Sequence, residues 1–236
     1  MPDVRYTAIL WDVDGTLLDF LYAQRKSLVA AFKEQGMDIG DDIVSLYSAI
    51  NDRYWKKLEL SEVTRQELLI GRFRELVDEL SLSDTISSEQ LRISYEYGLS
   101  TTYKYIENSY EIVKKLFDTG LFKQYIITNG VASVQRGKLS LSGLTDYIEE
   151  LFISEEVGAE KPQRAFFEYC CEHIAEKDKE RLLVVGDSLT SDIRGANEYG
   201  IASVWYNPGG WLNESPYIPV YEIKSLKEVQ DILGIL

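Results

Sequence analysis

The sequence predicts an α/β fold in which a doubly wound parallel sheet carries an inserted all-helical unit. Short apolar runs without alternation recur along the chain, as expected for strands that are buried on both faces. Helical patterns separate these runs, which indicates crossover helices between parallel strands. One long segment near the N-terminus holds helical patterns and no strand pattern. The 236 residues, of which 45% are apolar, suffice for such a core and one insertion.

The predicted strands are the continuous apolar runs of the chain. They cover residues 8–11, 125–127, 151–153, 182–185, 201–205 and 220–223. Helical spacing predicts helices over residues 110–117 and 165–174, and a last helix from residue 225. Prolines and glycines between residues 207 and 219 predict a loop before the last strand.

The strand-free segment is predicted to be an insertion after the first strand. Apolar residues keep helical spacing over residues 43–54 and 68–80, and a further helix starts near residue 91. We expect a core formed by residues 1–18 and 102–236 and a helical cap formed by residues 19–101. Most apolar side chains of the cap are expected to pack together as a small bundle.

Composition and charge exclude several classes of function. A formal net charge of −14 argues against the basic surface that nucleic-acid polymers require. No apolar run approaches the ~20 residues that a membrane helix needs. The N-terminus lacks a secretory signal pattern, and the only cysteines, Cys170 and Cys171, are neighbours that cannot form a disulfide framework. We therefore expect a cytoplasmic protein without a membrane or nucleic-acid partner.

Polar residues close to a glycine follow each of the three clearest strands. These segments are DVDGT at residues 12–16, TNG at 128–130 and GDS at 186–188. A fourth segment, GAEKP at residues 158–162, brings a lysine to the predicted start of a helix. Because ligands bind outside the carboxyl ends of strands in open parallel sheets, we expect these groups to converge.

Two carboxylates in the first segment need a positive partner. Asp12 and Asp14 are two residues apart on extended chain, so their side chains leave on one face and repel each other. We expect a divalent cation held by Asp12, Asp187 and the backbone carbonyl of Asp14, with Lys161 adding positive charge. Mg²⁺ is the expected ion, with Mn²⁺ as a substitute, because it takes one or two carboxylates plus phosphate oxygens. The single histidine, His173, lies on a helical pattern away from the strand ends and is not an expected ligand.

The same groups indicate phosphoryl transfer. Asp12, at the end of the first strand and nearest the cation, is the candidate nucleophile that would form an aspartyl phosphate. Asp14 is the candidate acid/base, which would protonate the leaving oxygen and then deprotonate the hydrolytic water.

The phosphoryl oxygens also require hydrogen-bond donors and positive charge. Thr128 offers a hydroxyl group and Lys161 offers an ammonium group. Further donors are expected from the backbone or amide groups of Gly15, Asn129 and Gly130. Asp192, together with Ser188, is expected in a supporting position, where it would orient Lys161 or a metal-bound water.

Each segment also has a simpler interpretation. Asp14-Gly15 fits a hairpin turn, and TNG fits any turn between a strand and a helix. Asp192 fits a carboxylate at a helix start, and Lys161 fits a surface lysine. Pro162 fits the first position of a helix, which would place Lys161 at the positive end of the helix dipole. A lysine is unfavourable there unless an anion lies opposite.

In chain order, DVDGT, ITNG, KP and GDSLTSD resemble the four signature segments of the haloacid dehalogenase-like hydrolase superfamily. The resemblance covers nearly the whole chain and implies a Rossmann-like core with a helical cap. It implies that Asp12 is nucleophile and metal ligand, and that Asp14 is the acid/base whose carbonyl also binds metal. By the same resemblance Thr128 binds the phosphoryl group, Lys161 neutralises charge, Asp187 completes the metal site and Asp192 matches the later acidic position.

Longer stretches show a finer resemblance. ITNGVASVQRGKLSLSGL, ISEEVGAEKPQRAFFEY and GDSLTSDIRGANEYGIASVWYNP are similar to 5′-nucleotidases that act on pyrimidine, including noncanonical, nucleoside monophosphates. In the predicted cap, NDRYWKKLELSEVTRQELLIGRF is similar to that branch as well. The implied activity is a Mg²⁺-dependent phosphomonoester hydrolase for (deoxy)pyrimidine nucleoside monophosphates, acting as a monomer or homodimer on small phosphorylated molecules.

Other functions on this scaffold stay open. A sugar-phosphate phosphatase or phosphomutase would use the same pair of carboxylates, whereas a haloacid dehalogenase would not need Asp14. A phosphonate hydrolase would need a cap lysine, and a receiver-type signalling module would have neither the cap nor a GDSLTSD-like segment. The cap is expected to select the leaving group, and its candidate contacts are Tyr22, Tyr54, Trp55 and Arg72, each of which also fits a structural role in the bundle.

Overall fold

A computed structural model of the protein describes residues 4–235 and contains one six-stranded parallel sheet. The strands lie in the order β3-β2-β1-β4-β5-β6. Their bounds are β1 Ala8–Trp11, β2 Lys123–Thr128, β3 Glu150–Ile153, β4 Leu182–Gly186, β5 Ala202–Tyr206 and β6 Tyr221–Ile223. The predicted parallel sheet is confirmed, and each predicted strand overlaps an observed one.

Helices connect the strands and also form the segment between β1 and β2. Their bounds are α1 Phe20–Glu34, α2 Asp41–Glu59, α3 Arg65–Glu79, α4 Ser88–Thr101, α5 Ser109–Asp118, α6 Ala132–Ser142, α7 Ser154–Val157, α8 Arg164–His173, α9 Arg194–Tyr199 and α10 Glu228–Ile232. The last helix starts three residues later than predicted, because Ser225 belongs to a turn whose backbone N–H groups bond to the Glu228 carboxylate. Among the described residues, no helix is long and apolar enough to cross a membrane.

The sheet is covered on both faces, as a doubly wound fold requires. In β1, Ile9 and Trp11 belong to one buried cluster, which includes side chains of α5, α6 and α10. Ala8 and Leu10 point to the other face, where they pack in a cluster with α8 and α9. This alternation explains why the strand is apolar throughout, since both of its faces are core.

The chain divides into two compact units, one of Met1–Phe20 with Lys104–Leu236 and the other of Leu21–Tyr103. The second unit is helical, and α3 packs against both α2 and α4. Its core contains the rings of Tyr47, Phe73 and Tyr95, whose centroids lie 5.2 to 5.3 Å apart. The apolar side chains at helical spacing in the insertion thus pack together as the core of a helical bundle.

The prediction for Pro162 is wrong. Helix α8 begins at Arg164, so Lys161 and Pro162 lie in the turn before it, and the peptide bond between them is cis. Lys161 is therefore not a residue of the first helical turn. Its side chain points inward to two carboxylates, which removes the conflict with the helix dipole that the sequence suggested.

Candidate active site

The carboxyl ends of β1 and β4 bring two predicted site residues together. Trp11 is in register with Val185, and the Asp12 N–H donates to the Val185 carbonyl at 2.9 Å. Asp187 directly follows the last residue of β4, Gly186, so both carboxylates emerge at the same edge of the sheet. One oxygen each from Asp12, Asp187 and Asp192 lies within 4.8 Å of the others. A cluster of three carboxylates thus lies where the strand order changes direction, the usual position of a ligand in this kind of sheet.

Lys161 lies in the middle of this cluster and is 2% exposed. Its Nζ donates to Asp12 Oδ1 at 2.7 Å, to Asp192 Oδ1 at 2.7 Å and to the Ile127 carbonyl at 2.9 Å. Since an ammonium group has three donors, all of them are used. Burial by itself disfavours the charged form, but the two carboxylates outweigh it and raise the pKa of Lys161 above its usual value. Lys161 is therefore a fixed buried cation rather than a surface lysine.

Asp12 is held at one oxygen and unpaired at the other. Its Oδ1 accepts from Lys161, whereas its Oδ2 is buried and has no hydrogen-bond partner within residues 4–235. Burial raises the pKa of Asp12 to about 7, and the nearby Lys161 offsets only part of that effect. A buried carboxylate oxygen without a partner is costly, so Oδ2 is the atom available to a cation or to a phosphorus centre.

The cluster fits a hard divalent cation. The cluster contains three carboxylates, and Lys161 pairs with two of them, so negative charge is in excess. Burial raises the pKa of Asp187 well above its usual range. Oxygen donors of this kind suit Mg²⁺. The soft or nitrogen ligands of the chain lie elsewhere, since Cys170 is buried in the core against the sheet and the His173 ring stacks on Tyr169. The donor set therefore agrees with the cation that the sequence predicts.

Gly15 allows Asp187 to approach the first segment. Its φ is +93°, and a Cβ atom on this residue would lie 2.4 Å from Asp187 Oδ2. Thr16 Oγ1 donates to the other carboxylate oxygen of Asp187 at 3.5 Å. The Gly15 N–H donates to the Leu18 carbonyl at 2.9 Å. The absence of a side chain at Gly15 thus leaves space for the Asp187 carboxylate. The Gly15 N–H was predicted to donate to a phosphoryl group, but in this structure it donates to the Leu18 carbonyl.

The TNG segment forms hydrogen bonds that the sequence did not specify. The Asn129 side chain accepts from the Lys161 N–H and donates to the Lys161 carbonyl, both at 2.8 Å. The Gly130 N–H donates to Thr128 Oγ1 at 3.1 Å. The Asn129 amide therefore fixes the backbone of Lys161, and the Gly130 N–H completes a turn. The Thr128 hydroxyl accepts this hydrogen bond and keeps its own hydrogen for donation.

Asp192 and Ser188 lie next to Lys161 at the end of β4. Asp192 lies in a single wide turn of π-helical geometry, Leu189–Ile193, and Ser188 is the residue directly before that turn. The Ser188 N–H donates to Asp192 Oδ2 at 3.2 Å, while Asp192 Oδ1 accepts from Lys161. A Cβ on Gly186 would lie 2.3 Å from the same carboxylate, so Gly186 provides the space for Asp192. Asp192 thus orients Lys161 and also adds the third carboxylate of the cluster.

Asp14 has two partners that the sequence analysis missed. Its Oδ1 accepts from the Lys138 ammonium, and its Oδ2 accepts from Gln135 Nε2 at 2.7 Å. Both partners lie on α6, one turn apart, and both are buried. The repulsion expected between Asp12 and Asp14 is therefore relieved by a separate lysine for each carboxylate. In the sequence the two residues keep helical spacing in the segment that follows TNG, but this spacing alone does not indicate Asp14 as their partner.

Comparison with known proteins yields consistent matches over nearly the whole chain. The family model for haloacid dehalogenase-like hydrolase matches residues 6–200. The HAD-hydrolase YfnB of Bacillus subtilis (strain 168) is 35% identical over 232 residues, covering 98% of this chain and 97% of YfnB. Pyrimidine 5′-nucleotidase PynA of Streptococcus pneumoniae is 34% identical over 228 residues, covering 97% of this chain and 95% of PynA.

The fold has a similarly close match among solved structures. A crystal structure of YfnB from Bacillus subtilis bound to magnesium superposes with a TM-score of 0.92 at 34% identity. The match covers 98% of this chain and all of that chain.

Proposed function

Because the chain belongs to the haloacid dehalogenase-like hydrolases, we propose that it hydrolyses phosphomonoesters with Mg²⁺ through an aspartyl-phosphate intermediate. The observation that carries this proposal is the geometry around Asp12. One oxygen of Asp12 is fixed by a buried lysine, and the other is buried without a partner among the described residues. A carboxylate that is oriented in this way is prepared to attack phosphorus.

The proposed cation site consists of Asp12, Asp187 and the backbone carbonyl of Asp14, with Asp192 close by. The excess of carboxylates over ammonium groups in the cluster supports this assignment. Mn²⁺ is the proposed substitute, since it shares the preference of Mg²⁺ for carboxylate and water ligands. When bound, the cation neutralises charge on the phosphoryl group and on the carboxylates.

The chain's own residues then account for two successive transfers. Asp12 attacks phosphorus, the bond from phosphorus to the ester oxygen breaks, and the departing oxygen takes a proton from Asp14. In the second transfer a water attacks phosphorus, its proton passes to Asp14, and the bond to Asp12 breaks to release inorganic phosphate. Lys161 balances the negative charge of the phosphoryl oxygens, and the Thr128 hydroxyl donates to one of them.

We assign nucleoside 5′-monophosphates of the (deoxy)pyrimidine series as the substrates. Two observations support this class. PynA, which is named for this activity, matches the chain from end to end, and its match includes the helical unit as well as the sheet unit. Three of the four signature segments, ITNG, KP and GDSLTSD, lie within stretches that resemble the same branch over 17 or more residues each. A small phosphorylated molecule is accordingly the proposed partner.

The proposal is tested with a panel of phosphate esters. The wild-type enzyme is assayed for phosphate release from pyrimidine and purine nucleoside monophosphates and from sugar phosphates, with Mg²⁺ and with a chelator. The Asp12→Asn variant tests the nucleophile. Asp41→Asn is the matched control, because its carboxylate is 76% exposed and pairs with the exposed Arg25 on the surface of the helical unit. We expect Mg²⁺-dependent release from pyrimidine nucleotides, retained in Asp41→Asn and abolished in Asp12→Asn.

The other outcomes separate the remaining functions. Activity confined to sugar phosphates would replace the nucleotide by a sugar phosphate as substrate. Movement of phosphate from one position of a sugar monophosphate to a free hydroxyl at another, without release of inorganic phosphate, would indicate a phosphomutase. An aspartyl phosphate that persists far longer than a turnover would indicate a receiver-type module. Full activity of Asp12→Asn would refute the aspartyl-phosphate mechanism itself.

A further inference from the structure

Two side chains of α6 hold the Asp14 carboxylate, and neither has a role in the reaction described above. We propose that Gln135 and Lys138 are positioning residues that orient Asp14 for proton transfer to the leaving group and from the hydrolytic water. This inference rests on the proposed function, because Asp14 acts as acid/base only in that reaction.

The contacts engage both oxygens of the carboxylate. Lys138 pairs with Asp14 Oδ1, and Gln135 Nε2 donates to Asp14 Oδ2 at 2.7 Å. Two donors on two different oxygens fix the plane of the carboxylate as well as its position, whereas a single contact would leave it free to rotate. Proton transfer depends on such placement, and a shift of about 1 Å in a reacting group can lower a rate by about 100-fold.

The burial of both donors indicates a specific purpose. Gln135 is 1% exposed and Lys138 is 2% exposed, although lysine is almost never fully buried unless it is paired. The partner of the Lys138 ammonium is Asp14, whose side chain is 26% exposed. An ordinary core position on α6 would be apolar, as Val134 and Leu139 are on the same helix. Helix α6 therefore carries a buried lysine at the position from which its ammonium group reaches Asp14.

Gly130 connects this arrangement to the phosphate-binding segment. A Cβ atom on Gly130 would lie 1.9 Å from Gln135 Nε2, so only glycine leaves room for the glutamine side chain. Because β2 ends at Thr128 and α6 begins at Ala132, a turn of only three residues joins the strand that carries Thr128 to the helix that orients Asp14. The phosphoryl donor and the acid/base are thereby held in a constant relationship.

The remaining amide atom of Gln135 supports the same role. Its Oε1 is buried and has no hydrogen-bond partner within residues 4–235. This acceptor belongs to the same amide group whose nitrogen bonds Asp14. It is thus available to a donor that arrives beside Asp14, as the hydrolytic water and the released hydroxyl group both do.

The test uses the difference between two leaving groups. An alkyl phosphate such as a nucleoside monophosphate needs a proton on its departing oxygen, whereas p-nitrophenyl phosphate releases p-nitrophenolate without one. The parameter kcat/KM reports the steps up to departure of the leaving group. The variants are Lys138→Met, Gln135→Met and the conservative Lys138→Arg. Arg136→Met is the matched control. It also removes a cation from α6, but the Arg136 guanidinium pairs with Glu156 and not with Asp14.

We expect Lys138→Met and Gln135→Met to lower kcat/KM for the alkyl phosphate by about 10-fold or more, within the range that acid–base catalysis supplies. The value for p-nitrophenyl phosphate should change by less than about threefold. Lys138→Arg should recover part of the loss, and Arg136→Met should behave as wild type.

Equal losses on both substrates would overturn the proposal, because they would indicate a general structural role. Unchanged kinetics of both methionine variants would overturn it as well. Unfolding midpoints are measured for every variant. If Lys138→Met does not fold, the comparison of the two substrates is made with Gln135→Met.

Failure of the proposed substrate class would be distinct from failure of this inference. If the wild-type enzyme hydrolyses sugar phosphates rather than nucleotides, the substrate assignment fails, and the same comparison is made with that alkyl ester against p-nitrophenyl phosphate. A loss selective for the alkyl ester would then still support the roles of Gln135 and Lys138.

Discussion

The Lys161 ammonium lies 2.7 Å from Asp12 Oδ1, although 149 positions separate the two residues in the chain. Both side chains are buried, so water screens this pair only weakly. The contact has two consequences. It stabilises a carboxylate that burial would otherwise keep protonated, and it engages only one oxygen of Asp12, so that the second oxygen stays buried without a partner among the described residues.

Removal of this lysine should therefore affect both stability and catalysis. Lys161→Met leaves Asp12 and Asp192 buried without their cation, and breaking a buried pair in this way typically costs about 3–5 kcal/mol. We expect the free energy of unfolding, measured with urea in the absence of metal, to fall by an amount of that order. Phosphatase activity with Mg²⁺ should also fall sharply, since the transition state loses a positive charge.

Lys123→Met is the control for this prediction. Lys123 also pairs with a carboxylate, Glu149, but its side chain is 59% exposed, and such surface pairs contribute about 0–1 kcal/mol. A Lys161→Met variant as stable and as active as Lys123→Met would contradict the central position that we assign to Lys161.

The metal-free protein should become less stable as the pH rises. Burial raises the pKa of Asp12 to about 7 from an ordinary value of 3.8, and the pKa of Asp187 is raised well above the same value. Because the folded-state pKa exceeds the unfolded one, the stability that this proton contributes is fully present below about pH 4 and is lost as the pH rises through 7. Between pH 5 and pH 8 in chelator, we expect the free energy of unfolding to decrease by on the order of 2 kcal/mol.

Asp12→Asn isolates this effect from the rest of the protein. The amide does not titrate, so the variant should lose part of the pH dependence between pH 5 and pH 8. Mg²⁺ competes with protons for the same carboxylates, and its stabilisation should therefore be larger at pH 8 than at pH 5. Thermal unfolding with and without Mg²⁺ measures this difference. Stability of the metal-free wild type that increases with pH over this interval would be inconsistent with the raised pKa of Asp12.

The central part of the site was predictable from the sequence because strand ends determine it. Asp12 and Asp187 each follow an apolar run, and adjacent parallel strands bring residues at equivalent positions to the same edge. Lys161 was predictable as a charge placed near that edge. Its orientation was not, because the direction of its side chain depends on a turn before α8 that the position of Pro162 did not reveal.

Other parts of the site depend on contacts that no local pattern specifies. The partners of Asp14 are decided by which face of α6 packs against the first segment, so Gln135 and Lys138 were missed. The role of the Asn129 side chain was missed for a similar reason, since its partner is the backbone of a residue 32 positions away. Sequence patterns thus predicted which strands carry the chemistry, whereas the hydrogen-bond partners required the folded structure.

Gly15 should be essential for the cation site rather than only for the turn. Gly15→Ala introduces a Cβ atom 2.4 Å from Asp187 Oδ2 at a φ of +93°. We expect displacement of the carboxylate, and a loss of Mg²⁺ affinity of about 10- to 100-fold, as is typical when the support of a metal ligand is disturbed. Isothermal titration calorimetry measures this loss independently of activity.

Gly200→Ala is the matched control, because Gly200 has a similar φ of +83° and a Cβ there would contact nothing within 4 Å. It carries the same backbone strain, which costs about 1 kcal/mol, without the clash. Both variants should lose stability, but only Gly15→Ala should lose Mg²⁺ affinity. Equal affinity in the two variants would mean that Asp187 does not need the space that Gly15 leaves.

Arg72 should stabilise the helical unit rather than bind substrate. It was a candidate contact for a phosphate or a base, but it is buried, and its Nη1 donates to the buried Asn51 Oδ1 at 2.7 Å. Its guanidinium also lies over the Phe73 and Tyr95 rings, with its carbon 5.1 and 5.7 Å from their centroids. Arg72→Met leaves the Asn51 acceptor buried without that donor, which costs about 1–3 kcal/mol.

We therefore expect urea denaturation of Arg72→Met to show a loss of stability of that size, whereas the exposed neighbour Arg74→Met should change stability by less than about 0.5 kcal/mol. Arg72→Lys should recover little, because lysine keeps the charge but not the planar group that stacks on the rings and bonds Asn51. At a temperature where each variant is folded, the KM for the preferred phosphate ester should stay close to that of wild type. A large increase in KM without a loss of stability would instead identify Arg72 as a substrate contact, because a guanidinium that binds phosphate contributes to affinity and not to the packing of the bundle.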